Sequence, residues 1–358
     1  MAVYRACYTT REDVQRALDI APSLIDYARI DRAVQSASED IDGLTHRRFF
    51  FSYETHYWDW PNFQYSYPWR IWLDQAELAS VTAPYAPVVT TGGSTIPSSQ
   101  IFWRTGGSWN YGPPFSAVEL NRSTTAAFGV SETPQQDVAI TGYFGYWTAK
   151  NSAGTLASNV SSTTATTLNC SDAAAIGVGD VLTVDNEMML VQDRGWFDTS
   201  QTLASGASTA MSSDNTLTFS GGAFYAGEVL LLDSEQMLIL TVSPTAYVVK
   251  RAWNGTVLAT HSGSEVYAER ALTVSRGDYG STAATHTSGA SLSVNKIPPL
   301  VADLALSESI NSVLQETAGY AATMGEAGAS QKTTGGDLQS LRDQVLTRYG
   351  RKNRQRVV

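Results

Sequence analysis

Between Gly179 and Val294 two short patterns each occur twice, and the order of the four pieces limits how the chain can fold. GDVLTVDNEMMLV starts at Gly179 and returns as GEVLLLDSEQMLIL from Gly227. RAWNGTVLATHSGSEV starts at Arg251 and returns as RGDYGSTAATHTSGASL from Arg276. A tandem array would alternate the two patterns. The order first, first, second, second predicts one β-unit inserted inside its twin. Thr167–Val191 is expected to pair with Ala271–Val294, with 215–267 as the guest. This stretch then reads as a decoration with its own core, and function is to be sought in the flanks.

At 358 residues the chain has room for two or three domains with sizeable cores. Hydrophobic residues make up 43% and charged ones only 16%, with abundant Gly, Ser, Thr and Ala, a composition that favours β-rich structure with many turns. No apolar run reaches membrane-spanning length, and no basic-then-apolar leader opens the sequence. Two distant cysteines, Cys7 and Cys170, exclude a disulfide scaffold and point to folding in a reducing cytoplasm. The net charge of −10 is uneven. From Arg342 to Val358 six basic residues face one acid, giving +5, so residues 1–341 carry −15. Such a body repels nucleic acid, and the basic tail is a separate device.

Local patterns divide the chain into five stretches. In residues 1–50, Thr10 and Asp13 mark a capped short helix. A second helix carries Tyr27, Ile30, Val34, Ala37, Ile41 and Leu44 on one face and is expected to end at a left-handed Gly43. That face suits the protomer core or a subunit contact. Residues 51–150 are strands rich in aromatics. Twelve aromatics fall between Phe49 and Trp72, a density suited to a core or interface more than to a stacking platform, since Lys is absent before residue 150. The glycines of Val138–Trp147 suggest a bend or bulge. Thr148–Thr166 reads as a linker or exposed edge, opening the inserted β-domain 151–294. Residues 295–350 are helical, one helix starting at Pro298-Pro299 and another at Asp337 after a small-residue loop, 325–336. Residues 351–358 are read as a free, extended basic arm.

No constellation makes a positive case for an enzyme. His261 and His286 sit in the same Ala-Thr-His context of the repeat and read as turn residues capping backbone groups, not as metal ligands. Asp185/Glu187 and Asp233/Glu235 lie at i and i+2, the expected chemistry of a hairpin turn between apolar strands. Nucleophile-elbow, phosphate-loop, zinc-helix and dinucleotide fingerprints are all missing. The expectation is no catalytic residue, no metal and no cofactor.

Several runs in the flanks carry a resemblance. These are Tyr8-Thr9-Thr10-Arg11-Glu12-Asp13-Val14, Ile30–Val34, Ala37–Gly43, Thr45-His46-Arg47-Arg48-Phe49 and Val138-Ala139-Ile140-Thr141-Gly142-Tyr143-Phe144-Gly145. Together with the later Pro-initiated helix, they resemble tailed-bacteriophage head–tail connector (adaptor) proteins over about 1–150 and 295–358. The fold class expected is α+β: a helical connector core with aromatic-rich strands and a large, internally duplicated all-β insert. The resemblance implies a homo-oligomeric ring, commonly of twelve copies, in the virion neck between the portal protein and a tail-side stopper or terminator. It also implies a bore that passes DNA without sequence-specific binding, assembly in the host cytoplasm and no membrane contact. Arg348, Tyr349, Arg351, Lys352, Arg354 and Arg356 are then candidates for portal docking, and Tyr27, Ile30, Val34 and Ile41 for the core or inter-subunit helix face. The alternative class is a phage tail receptor- or carbohydrate-binding protein.

Overall fold

A computed structural model describes residues 3–18, 26–62, 67–74, 76–105, 112–318 and 328–351. In chain order it has α1 (Arg11–Leu18), α2 (Tyr27–Thr45), β1 (Ser52–Trp58), β2 (Arg70–Trp72), β3 (Val88–Thr91), β4 (Ser94–Ile96), β5 (Ile101–Thr105), β6 (Phe115–Leu120) and β7 (Val138–Phe144). Then come β8 (Lys150–Thr155), β9 (Thr167–Asn169), β10 (Val181–Val184), β11 (Glu187–Ser205), β12 (Thr216–Phe219), β13 (Val229–Leu232), β14 (Glu235–Val242), β15 (Tyr247–Lys250), β16 (Glu265–Ser275), β17 (Ser291–Asn295), α3 (Pro299–Ala318) and α4 (Gly328–Tyr349). The fold class is α+β. Two compact units form: 1–41, 150–278 and 282–348 make the first, and 42–149, 279–281 and 349 onward the second.

In the first unit the doubled patterns become two rings of hydrogen-bonded strands that share β11 and β16. The first half of β11 and the second half of β16 pair from Leu190↔Ser275 to Gly195↔Ala271. Their other halves pair from Phe197↔Ala268 to Thr202↔Glu265. On one side β8, β17, β10 and β9 complete the host ring, which closes through the Leu156↔Cys170 bridge. On the other side β12, β15, β14 and β13 complete the guest ring. Each has its own apolar centre: Leu168, Leu182, Met189, Leu272 and Leu292 in the host, and Leu217, Leu230, Met237, Val249 and Val266 in the guest. A ring closed on itself has no free strand edge. Long strands running through both rings are the physical reason one unit can sit inside its twin in the sequence.

The flanking helices are not set apart from this β-structure. Thr10 and Asp13 cap α1 reciprocally (Asp13 N–H to Thr10 Oγ1, 3.1 Å; Thr10 N–H to Asp13 Oδ2, 3.4 Å). The capped end docks on the host ring: Cys7 N–H donates to Gly179 O at 2.9 Å and Val178 N–H to Glu12 Oε2 at 2.8 Å. Arg11 is buried between Asp31 (2.7 Å) and Asp193 (2.7 Å). Gly177 permits the approach, because a Cβ there would lie 2.4 Å from Thr10 Cβ. The expected division into connector helices and a separate decoration therefore follows the sequence order only. Contacts join the N-terminal helices and the repeats in one unit.

The second unit packs two antiparallel sheets, ordered β1-β7-β3-β4 and β2-β6-β5, around Trp60, Ile71, Leu78, Val118, Ile140 and Phe144. Three local expectations need correction. Helix α2 passes through Gly43 to Thr45, and His46 takes the left-handed conformation (φ 53°) instead. Gly142 lies in register opposite Glu54 rather than at a bulge; its lack of a Cβ admits Pro87, which would otherwise be 2.8 Å away. Helix α4 begins at Gly328, nine residues before Asp337. Glycines at 335 and 336 cost a helix about 1 kcal/mol each, which the continuing turns to Tyr349 outweigh. The 148–166 stretch, expected as a linker or exposed edge, instead contributes β8, paired with β17 and closing the host ring through Leu156↔Cys170, and buries Leu156 and Val160.

Candidate functional site

The residues of the repeat that carry chemistry converge in two matching clusters. In the guest ring Asp233 turns the β13–β14 hairpin in a left-handed conformation (φ 53°), and Glu235 opens the next strand pointing inward. Glu235 accepts five hydrogen bonds: Arg251 Nε (2.8 Å) and Nη2 (2.7 Å), His261 Nε2 (2.9 Å), and the N–H groups of Ala252 (3.0 Å) and Ala259 (3.0 Å). His261 Nδ1 meets Asp233 at 2.7 Å. The Glu235, Arg251 and His261 side chains are all fully buried. The host ring repeats this with Asp185 (φ 51°), Glu187, Arg276 and His286: Arg276 at 2.7 and 2.8 Å, His286 at 2.9 and 2.8 Å, and the N–H groups of Gly277 and Ala284.

These clusters overturn the expectation that the histidines cap backbone groups. Each imidazole is clamped between two carboxylates, one from the left-handed hairpin turn (Asp233, Asp185) and one from the first residue of the strand that follows (Glu235, Glu187). Burial alone would raise Glu235 and Glu187. The arginine, the backbone N–H donors and the histidine outweigh it and hold each at about 2. A carboxylate so low and so fully engaged has no free oxygen for proton transfer, and its arginine excludes a metal. Among the described residues no group of three or more His, Cys, Asp or Glu is placed to hold a metal ion. The arrangement is a latch that ties the Arg-to-His loop onto its hairpin. Sequence reasoning treated each half of the pattern alone, and the missed signal was their joint repetition.

A second convergence lies in the second unit. The Thr45–Phe49 run and the end of β7 pack together: Tyr146 N–H donates to Arg48 O (2.9 Å), and Gly145 (φ 143°) passes so close that a Cβ would be 2.3 Å from Phe50 O. Tyr349 enters between them, its ring edge-on to Phe49 (5.6 Å) and Tyr146 (5.6 Å), while Arg47 Nη1 donates to its carbonyl at 2.6 Å. Arg351 N–H donates to Thr45 O at 3.0 Å, and its guanidinium joins Arg47 on Glu77. His46, Arg47, Arg48, Glu77, Tyr146 and Arg351 surround a cleft of about 420 Å³.

Of the candidates for docking, Tyr349 is thus buried and Arg351 tied down, which corrects the free arm expected from residue 351, and Arg348 is exposed. Lys352, Arg354 and Arg356 lie outside the described residues. On the α2 face Ile30, Val34 and Ile41 are buried within this chain, whereas Tyr27 is 37% exposed, with Arg11 stacked 4.9 Å over its ring. Among the described residues no helix is long and apolar enough to cross a membrane. No family model, no curated protein and no solved structure matches this chain.

Proposed function

We propose that this chain is a virion structural protein, a head–tail connector subunit that assembles into a ring between portal and tail. The observation that carries the reading is the meeting, in one unit, of Thr45–Phe49, of Val138–Gly145 and of the point where the basic C-terminal segment leaves the body. Two of these are runs on which the connector resemblance rests, and they lie about 90 residues apart in sequence. Tyr349 and Arg351 act as the anchor of the docking segment, and Arg348, Lys352, Arg354 and Arg356 as its charged surface toward the portal. Excess acid in residues 1–341 suits a wall along which DNA slides, since like charge keeps the duplex from adhering. The saturated latches make the double ring a rigid module, directed outward or toward the tail.

The test is electron microscopy and native mass spectrometry of the purified chain, alone and with a portal protein from the same genome. A closed ring, twelve-fold or nearly so, that binds portal and loses that binding on truncation after Arg351 supports the proposal. A monomer or trimer that binds glycans and ignores the portal selects the receptor-binding alternative instead.

A further inference from the structure

The two rings differ at one acid, buried in the guest and half-buried in the host. Asp180 and Glu228 hold equivalent places in the repeated pattern, and each carboxylate accepts the N–H three residues earlier: Gly177 to Asp180 at 2.8 Å, Tyr225 to Glu228 at 2.9 Å. Glu228 also has a counter-ion, the Arg270 guanidinium, at 2.6 Å through Nε and 2.7 Å through Nη2. Strand register identifies the matching host position. Leu230 pairs with Ala268 in the guest and Leu182 with Val294 in the host, so Arg270 corresponds to Lys296. Lys296 is exposed, and among the described residues Asp180 has no ion pair.

No described cation pairs with Asp180 as Arg270 does with Glu228: Arg16, which lines the site, is held by Asp13, and the nearby Arg194 donates to Ile176 O and lies 3.9 Å from Glu12. A cavity of about 230 Å³ lies there, lined by Thr10, Glu12, Asp13, Ile176, Asp180 and Asn295 among others. Helix α1 brings two more acids to it, and each already has a cation: Glu12, which also accepts Val178 N–H, faces Arg194 at 3.9 Å, and Asp13 holds Arg16 at 3.1 Å. Asn295 is only 8% exposed, yet both its side-chain Oδ1 and Nδ2 lack a hydrogen-bond partner. A buried amide left unsatisfied on both atoms is costly and calls for a ligand. Burial, with Asp13 and Glu12 close by, pushes the Asp180 carboxyl up to about 7 against the opposing effects of Gly177 N–H and Arg194.

We infer that this cavity binds an organic cation that donates N–H groups, a guanidinium or an alkylammonium, in the place that Arg270 fills in the twin ring. A metal ion fits less well, because the described acids do not converge as a metal needs. The source is either an arginine or lysine side chain of another subunit or a free amine.

Agmatine and n-butylammonium are the probes, added to the full chain and followed by calorimetric titration and thermal unfolding, with sodium and calcium chloride as controls. Saturable binding of the probes is expected, with a rise in melting temperature that sodium does not give. Asp180→Asn removes the charge, and Ala175→Leu fills the cavity from an exposed position without touching a charge. Each is expected to weaken binding by about tenfold or more. Release of subunits by agmatine assigns the seat to a side chain of another copy; unchanged sedimentation assigns it to a free amine. Absence of saturable binding, an equal response to calcium, or undiminished affinity in both variants overturns the inference.

Discussion

Glu235→Ala is the sharpest test of the latch. The substitution deletes the acceptor of five hydrogen bonds and leaves Arg251 fully buried. What remains for the guanidinium is a set of carbonyls, those of Thr209, Asp214 and Ala259 among them, which solvate a cation without neutralising it. Two backbone N–H groups and one imidazole nitrogen are orphaned as well. Adding about 1.5–3 kcal/mol for each charge-assisted bond would by itself match a whole domain's stability, so the five bonds are counted as one network. Removing one partner of a buried ion pair costs about 3–5 kcal/mol, which is the loss expected here. Against a domain stability of about 5–15 kcal/mol, that brings the guest ring close to unfolding while its Leu217/Leu230/Val266 core is untouched. Urea unfolding followed by tryptophan fluorescence reads it directly, since Trp253 and Trp196 pack together beside the guest ring. Glu187→Ala should cost the host ring a similar amount, as Glu187 has the same partners. A loss below about 0.5 kcal/mol in both, the range of an ordinary surface change, would refute the reasoning.

Acid should act through the same groups. Glu187 and Glu235 sit at about 2 in the folded chain against an ordinary 4.5, so their contribution is complete above pH 4.5 and fades as pH falls toward 2. Urea midpoints measured across that window should drop steeply, and less so in the Glu187→Gln/Glu235→Gln double variant. Two glycines should respond in opposite senses in thermal unfolding. Gly43→Ala, in the last turn of α2 with nothing within 4 Å, should stabilise by up to about 0.5–1 kcal/mol. Gly145→Ala, forced at φ 143° against Phe50 O, should destabilise the second unit by more than that. Burial pushes the thiols of Cys7 and Cys170 up to about 12, so neither should react with a disulfide reagent at neutral pH until urea is added.

How much of this was legible beforehand depended on distance along the chain. The α1 cap, the span of α2 near its start and the proline-led α3 are local, set by residues within a turn or two of one another, and could be read directly. The end of α2 could not, because Gly43 and His46 are both acceptable terminators and the choice rests on packing around Arg47 and Tyr349. The burial of Tyr349 was hidden for the same reason: its aromatic partners are some 200 and 300 residues away.

The doubled pattern itself is a property of sequence, since recurrence at Gly179 and Gly227, and at Arg251 and Arg276, needs no coordinates to be seen. Sequence therefore determined by itself that two like units exist and that one interrupts the other. Only the tertiary structure decided what the repeated residues do. Strand register across β10, β11, β16 and β17 brings Glu187 to Arg276 and His286, 89 and 99 residues on, and the matching register brings Glu235 to Arg251 and His261. It also decided where the twins part. Glu228 finds Arg270, while Asp180 accepts Gly177 N–H and has no matching guanidinium where α1 comes down on the host ring.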